Sequence, residues 1–429
     1  MNVFFYKQLL FTVFWLCLGS SLFAQTPIIV ESVQFSNIKK LNQGFLEQLL
    51  ITQPGDTLNM ATLEEDEAQL RRLAAVAITK RQILPLEKDT NRVNIIFEIT
   101  ERRTLLPIIG IGGIEDNFWF LLGASEYNLG GKNKTLSVQF LLNDGLPNFE
   151  VFYKTRRIKG SKWGFSAEAK RSASIEPLFF PEGAVDFRYS NIGVGINAIH
   201  SFNPNRHLSG GFQFFQEDYL KLGPEPLSEL PGPNTLTTLK WLTNLRYKAN
   251  NLKYDYYLLS GNQLEASLQW VITFGVERQF LALILEGSKF WRPFKSGNFA
   301  ARIKFGISNN DPSPFVAFVV DSQFNLRGVG NRVDRGTAQA IVNLEYRQTI
   351  LTKGVWASQV VAFSDMGTWR NPGGRLSDLA NKEQFRQFVG VGIRVINIKY
   401  FLATFRLDFG FDIFDRKQKG FVLGMGQYF

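Results

Sequence analysis

The residues best suited to a buried polar interaction are Arg327, Glu345 and Asp365. Arg327 stands in Phe324-Asn325-Leu326-Arg327-Gly328-Val329-Gly330, inside a long connection, and the two acids lie on the two strand-like segments that follow. A guanidinium is planar, permanently charged and carries five donors, so two carboxylates can hold it in one orientation without any titration. That is the chemistry of a lock. Both acids occupy positions whose parity points inward, and Gly328 lets the backbone beside the arginine approach a wall closely. Read locally, the same residues fit an ordinary Arg-Gly turn on a surface loop equally well. Imidazole chemistry rests on His200 and His207 alone, both in or near one predicted connection. No nucleophile or metal-ligand spacing accompanies them. An enzyme is therefore not expected, nor a cofactor, nor a bound metal.

The elements that would position the lock have a period of two from Leu105 to Phe429. Trp163, Phe165, Ala167 and Ala169 alternate with Gly164, Ser166, Glu168 and Lys170; Leu264, Ala266, Leu268, Trp270 and Ile272 alternate with Glu265, Ser267 and Gln269; Phe299, Ala301, Ile303, Phe305 and Ile307 alternate with Ala300, Arg302, Lys304 and Gly306. Repeated aromatic outer residues over charged inner ones suit a lipid-facing wall around a wet lumen. Hydrocarbon cannot satisfy an open sheet edge, so the sheet must close. The 37 glycines, 40 phenylalanines and eight tryptophans, with a mean hydropathy of −0.07, agree with alternation and not with continuous apolar runs. Sixteen candidate strands begin near Leu105, Phe118, Lys134, Phe149, Lys162, Ala184, Leu208, Thr237, Asn262, Phe280, Asn298, Gly336, Gly354, Phe385, Tyr400 and Gly420. That spacing, about 20 residues per strand, leaves room for a membrane crossing and a connection. The longest connections are Gly223 to Asn234 and Asn309 to Arg335, and long loops are where function concentrates.

Before the barrel, residues 1–24 have the form of a secretory signal. Lys7 supplies the charge, Leu9 to Leu18 the apolar core and Ala24 the cleavage position. Removal would take away Cys17, the single cysteine, and with it any disulfide framework. The formal net charge of +10 suits a rim and lumen facing anionic lipid headgroups. Nucleic acid is a poor fit for an exported chain without a basic and aromatic module. Residues 25–103 have another texture. A strand over Ile28 to Phe35, a helix around Leu41 to Leu50, a break at Pro54-Gly55-Asp56 and a second helix opened by Thr62 and Glu65 at capping-box spacing come first. Strands over Val76 to Leu84 and Arg92 to Glu101 follow, with Val93, Ile95, Phe97 and Ile99 on one face.

This β-α-α-β-β order resembles a POTRA domain. Leu326-Arg327-Gly328 resembles the inward-folded loop motif of the BamA/TamA superfamily, in which an aliphatic-Arg-Gly-aromatic run locks against a Phe-x-Asp-x-Gly strand. Phe363, Asp365 and Gly367 match that strand, Glu345 matches a second acidic partner, and Val329 departs from the pattern by replacing the usual aromatic. Tyr127 to Asn133 is similar to the family's turn after the second strand, and Phe401 to Phe411 to its penultimate strand. The last segment, Phe421, Leu423, Met425, Gln427 and Phe429, alternates and ends on an aromatic residue, as in outer-membrane barrels generally.

The resemblance implies a signal peptide (1–24), one periplasmic POTRA-like domain (25–103) and a 16-stranded outer-membrane β-barrel (104–429). It also implies insertion or translocation of polypeptides by strand exchange at a weak seam between first and last strands. Pro107, Gly110, Gly112 and Gly113 on the first strand would weaken pairing with Phe421, Leu423, Met425 and Phe429 on the last, since proline and glycine both disfavour a ladder; each glycine could equally relieve crowding. Implied partners are outer-membrane lipid and lipopolysaccharide, client polypeptides (nascent barrels or a dedicated exported protein) and accessory periplasmic proteins. A passive outer-membrane channel with a periplasmic domain is the alternative from a different class.

Overall fold

The computed structural model describes residues 27–429 apart from 88, 115–116, 144, 156–160, 181, 204, 256, 276–277, 311–316, 321–324, 329–333, 401–402 and 417. The signal-like segment with Cys17, and Phe324, Val329, Gly330 and Phe401 of the motifs above, lie outside the described residues.

The N-terminal unit runs β1 (Ile29–Ser36), α1 (Gln43–Leu49), α2 (Met60–Arg71), β2 (Val76–Leu86) and β3 (Asp89–Glu101). β3 is central, parallel to β1 and antiparallel to β2. Its alternating Val93, Ile95, Phe97 and Ile99 are buried, and the last three pack on Leu46, Leu63 and Leu70 of the helices. The cap of α2 is Asn59, whose side chain accepts from Ala61 N and Thr62 N, so the Thr62–Glu65 spacing does not open the helix. Glu101 accepts the backbone N–H groups of Lys39, Lys40 and Leu41, which closes the turn into α1.

Sixteen long antiparallel strands then close into a barrel. In chain order they are β4 (Leu105–Ile114), β5 (Asn117–Leu129), β6 (Lys134–Asn143), β7 (Leu146–Thr155), β8 (Trp163–Phe180), β9 (Gly183–Asn203), β10 (Arg206–Lys221), β11 (Thr235–Asn250), β12 (Leu258–Thr273), β13 (Arg278–Phe294), β14 (Gly297–Ser308), β15 (Ala338–Lys353), β16 (Trp356–Arg370), β17 (Phe385–Asn397), β18 (Thr404–Asp412) and β19 (Lys419–Met425). The period of two becomes two surfaces. Ile303 is 60% and Val391 63% exposed on the outer face, while the intervening Arg302 and Arg394 are buried inside. No described helix is long and apolar enough to cross a membrane; the strands make the crossing.

Strands β8 to β11 are long, and Leu178, Val185, Phe187 and Tyr219 cluster at the end away from the N-terminal unit. His200 and His207 lie on strands β9 and β10, not in a connection. The His200 ring packs against Trp163 at 4.6 Å and His207 Nδ1 bonds Ser201 Oγ at 2.9 Å, because the alternation carries through both positions, up to Asn203 on β9 and from Arg206 on β10.

Three bonds donated by backbone N–H groups seat the N-terminal unit on the end of the barrel opposite the Leu178 cluster. Asn42 N donates to Gly131 O at 3.0 Å, Ala74 N to Asn133 Oδ1 at 3.2 Å, and Arg103 N to Lys399 O at 3.1 Å. Gly131 requires its residue type, since its φ is +74° and a Cβ there would lie 2.3 Å from Lys40 O. The turn Tyr127 to Asn133 is thus the docking point of the small domain.

Candidate functional site

Between β14 and β15 the chain forms a long connection whose stem is a short hairpin, Phe318–Val320 paired with Asp334–Gly336. Its described inner part, Asn325 to Gly328, is wholly buried within the barrel. Glycines clear the floor on which it rests. A Cβ on Gly367 would lie 2.9 Å from Leu326 Cδ1, and one on Gly410 would lie 2.8 Å from Arg327 O. Gly328 has φ +99°, in the left-handed region, and any side chain there would meet the Gly410 backbone at 2.9 Å. Leu326 completes a small core with Val320, Ile341, Trp369 and Phe388.

Those contacts deliver Arg327 to the lumenal face of β15 and β16. Its Nε donates to Asp365 Oδ2 at 2.8 Å and its Nη2 to Asp365 Oδ1 at 3.0 Å, a two-pronged bond that fixes the guanidinium plane. The backbone N of Arg327 donates to the same carboxylate at 3.0 Å. Nη1 donates to Glu345 Oε2. The Phe363 ring lies under the guanidinium with its centroid 3.7 Å from Cζ. Leu326, Arg327, Gly328, Glu345, Phe363, Asp365 and Gly367 are therefore all in one place.

The lock is larger than these residues. Arg347 donates to Glu345 Oε1, Arg394 on β17 pairs with Asp408 on β18 at 2.8 Å, and Asp408 lies 3.9 Å from Arg327. Arg327, Arg347 and Arg394 thus face Glu345, Asp365 and Asp408 in fully buried ion pairs, and Arg302, buried as well, joins them by donating to Asn343 Oδ1 at 2.9 Å. Such pairing matters because an unpaired charge at this depth costs several kcal/mol. Asn343 ties loop to wall by donating to both Asn325 O and Asp365 Oδ1 at 2.8 Å. Arg347, Arg394, Asp408 and Asn343 were not singled out from the sequence. The signal that could have found them is the inward series Gly390, Gly392 and Gly410, which leaves space on β17 and β18 for something to enter.

At the seam, β19 meets β4 through three register pairs: Phe421 with Gly113, Val422 with Gly112 and Leu423 with Ile111. Among the described residues every other neighbouring pair of long strands holds seven or more. Pro107 and Gly110 pair with Ala124 and Leu121 of β5 and have no partner in β19. Gly110 and Gly112 also have a packing role: a Cβ on either would fall 2.9 or 2.8 Å from the Trp119 ring, which lies across them in the lumen.

Two expectations for the last strand need correction. Met425 pairs with Phe405 of β18 but not with β4. Phe429 is not a seam residue: β19 ends at Met425, Gly426 takes φ +87° and donates to Thr404 O at 2.7 Å, and the chain turns inward. The Tyr428 ring lies 4.3 Å from Arg327 Cζ, and Phe429 sits beside Phe290, Arg302 and Arg347. The buried arginines draw the aromatic tail out of the wall.

A family model described as the Omp85 superfamily domain matches residues 128–429, and one described as a surface antigen variable number repeat, the POTRA model, matches residues 28–102. The chain belongs to the Omp85 superfamily. This Omp85 barrel is similar in fold to BamA from Haemophilus ducreyi lacking POTRA domains 1–3, at 14% identity over 93% of this chain and 84% of that one, with a TM-score of 0.56. It is also similar to CdiB from Acinetobacter baumannii (12% identity, 94% and 74% covered, TM-score 0.60) and to CdiB from Escherichia coli (9% identity, 94% and 77% covered, TM-score 0.64). No curated protein matches the chain. The Omp85 assignment places the wall in the outer membrane with the POTRA domain on its periplasmic side.

Proposed function

We propose that this chain inserts polypeptides into the outer membrane or passes them across it, using the seam between β4 and β19 as the site of strand exchange and the POTRA domain as a receiving edge. The observation that carries the reading is the three-pair seam in a barrel otherwise joined by much longer ladders. A strand with unpaired N–H and C=O groups on the periplasmic half of β4 is a template for an incoming extended chain. In the small domain, the outer side of β1 is partly covered, since Val30 N donates to Asp56 O and Leu58 N to Ile28 O. The outer edge of β2 is open, with Ile78 and Leu84 exposed beside it. That edge is the one expected to take up a client. A solute pore has no use for a charged loop buried so deeply, which weighs against the passive channel.

The test is a lock placed where the seam is paired. Ile111→Cys with Leu423→Cys, oxidised in native outer membranes, should leave a folded barrel that no longer handles its clients, and reductant should restore activity. Undiminished activity with the seam covalently shut would reject strand exchange. Depletion followed by a survey of the outer-membrane and secreted proteins separates the roles. A general loss of barrels indicates an insertase, the loss of one secreted protein indicates a dedicated transporter, and altered solute permeability alone indicates a channel.

A further inference from the structure

We propose that the last three residues form a latch that ties the lumenal lock to the seam, with Tyr428 acting as a positioning residue for Arg327. This inference builds on the strand-exchange reading. Arg327 has two faces. Phe363 covers one at 3.7 Å and Tyr428, arriving from the end of the chain, lies 4.3 Å from Cζ. Tyr428 also lies 4.9 Å from Arg406 Cζ and 5.6 Å from Arg302 Cζ, so three guanidiniums converge on one ring. On either side of it, Gln427 Oε1 accepts from Arg394 Nε at 3.4 Å, and the terminal Phe429 oxygen accepts from Arg347 Nη2 at 3.2 Å. Each tail residue thus holds a different arginine of the buried set.

The consequence for the seam follows from register. Continuing the pairing of Phe421, Val422 and Leu423 with Gly113, Gly112 and Ile111 would set Met425 against Ile109, Gln427 against Pro107 and Phe429 against Leu105. Phe429 would then face lipid beside Leu105, which is 57% exposed, and the alternation from Phe421 to Phe429 is compatible with that state. The tail instead turns at Gly426, and those pairs are not made. One segment therefore has two seats, a strand in the wall or a strut in the lumen, and the arginines bias it to the second. The lock keeps the periplasmic half of the seam unzipped by holding the residues that would zip it.

Disulfide trapping in the full-length chain carrying Cys17→Ser tests this without any client, so its failure is distinct from failure of the proposed activity. Ile109→Cys with Met425→Cys should crosslink slowly in the parent. Tyr428→Ala should raise the yield several-fold by freeing the tail to enter the wall, and Tyr428→Phe, which keeps the ring, should not. A folded Tyr428→Ala protein crosslinking at the parental rate would overturn the latch. A second pair keeps the proposal testable if that variant does not fold. Phe429→Cys should crosslink to Phe290→Cys in the lumen and not to Leu105→Cys in the wall, and the reverse preference would refute it.

Discussion

Replacing Arg327 by alanine is the sharpest perturbation of the lock. It strips the cation from the fully buried Asp365 carboxylate, takes one of three arginines from Glu345, which keeps Arg347 and Arg394, and empties the space between the Phe363 and Tyr428 rings. Breaking a buried ion pair from one side costs about 3–5 kcal/mol. The cation–π contacts add to that, but not additively, because they share the same guanidinium. About 4 kcal/mol is a reasonable total. A chain of this length shifts by roughly 2 °C per kcal/mol, near the lower end of the scale for smaller domains, so the midpoint should fall by about 8 °C. The assay is loss of the compact, folded gel mobility on heating, compared at one heating rate because barrel unfolding is irreversible. The control is Arg292→Ala, whose ion pair with Asp255 at 2.7 Å is solvent-exposed and worth about 1 kcal/mol or less. Arg327→Lys keeps the charge but loses the planar fork and should fall between them. If Arg327→Ala and Arg292→Ala melt together, the buried network carries no stability and the lock is not a lock.

Other substitutions probe separate parts of the site. Gly390→Ala would place a methyl 2.1 Å from Phe409 O and 2.3 Å from the Phe363 ring; overpacking of about 1–3 kcal/mol should lower the midpoint, while Gly287→Ala, with open space around it, should not. Asp408→Asn should destabilise by leaving the buried Arg394 without the carboxylate it pairs with at 2.8 Å, and adding Arg394→Met should recover part of the loss; a double variant no better than the single one would show that this ion pair is not what holds β17 to β18. Ile78→Asp with Leu84→Asp on the exposed edge of the POTRA sheet should leave the barrel's melting unchanged yet reduce capture of an extended client peptide; unchanged capture would exclude that edge as the receiving site.

The sequence carried the wall because lipid on one side and water on the other impose a strict period of two, and that period survives in single residues such as Ile303 against Arg302. It did not carry strand ends. The segment expected near Tyr400 starts at Thr404, and the one expected near Asn262 starts at Leu258, since alternation runs on through short turns whose bonds, such as Asn397 N to Ala403 O, leave no mark in hydropathy. The first ring of the lock was legible through the resemblance of Leu326-Arg327-Gly328 and of Phe363, Asp365 and Gly367 to a known loop and strand motif, since the inward parity of Glu345 and Asp365 alone left a surface turn equally open. Arg394 and Asp408 were not, for they reach Arg327 only through the curvature that brings β17 and β18 around it. The tail was the least legible. A glycine at 426, two after Gly424, within an alternating run reads as strand, and only the guanidiniums that converge on the tail inside the lumen explain the turn.

The placement of the buried charges follows from the same geometry. A buried set of paired arginines and acids is a poor source of stability compared with an apolar core of equal volume, because desolvation offsets most of the attraction. What it does supply is a demand for exact partners, which an apolar plug would not make. Leu or Phe in place of Arg327 could settle in several positions on a glycine-cleared floor. A guanidinium bound in two prongs by Asp365 and covered on one face by Phe363 has one position and leaves one face for Tyr428. In a barrel whose seam has only three pairs, closure is not fixed by the ladder, so something else must decide which residues of β19 stay in the wall. The lock meets that need from inside the lumen, and because its grip is on the last residues of the chain, it can hold one half of the seam open while the other half remains paired.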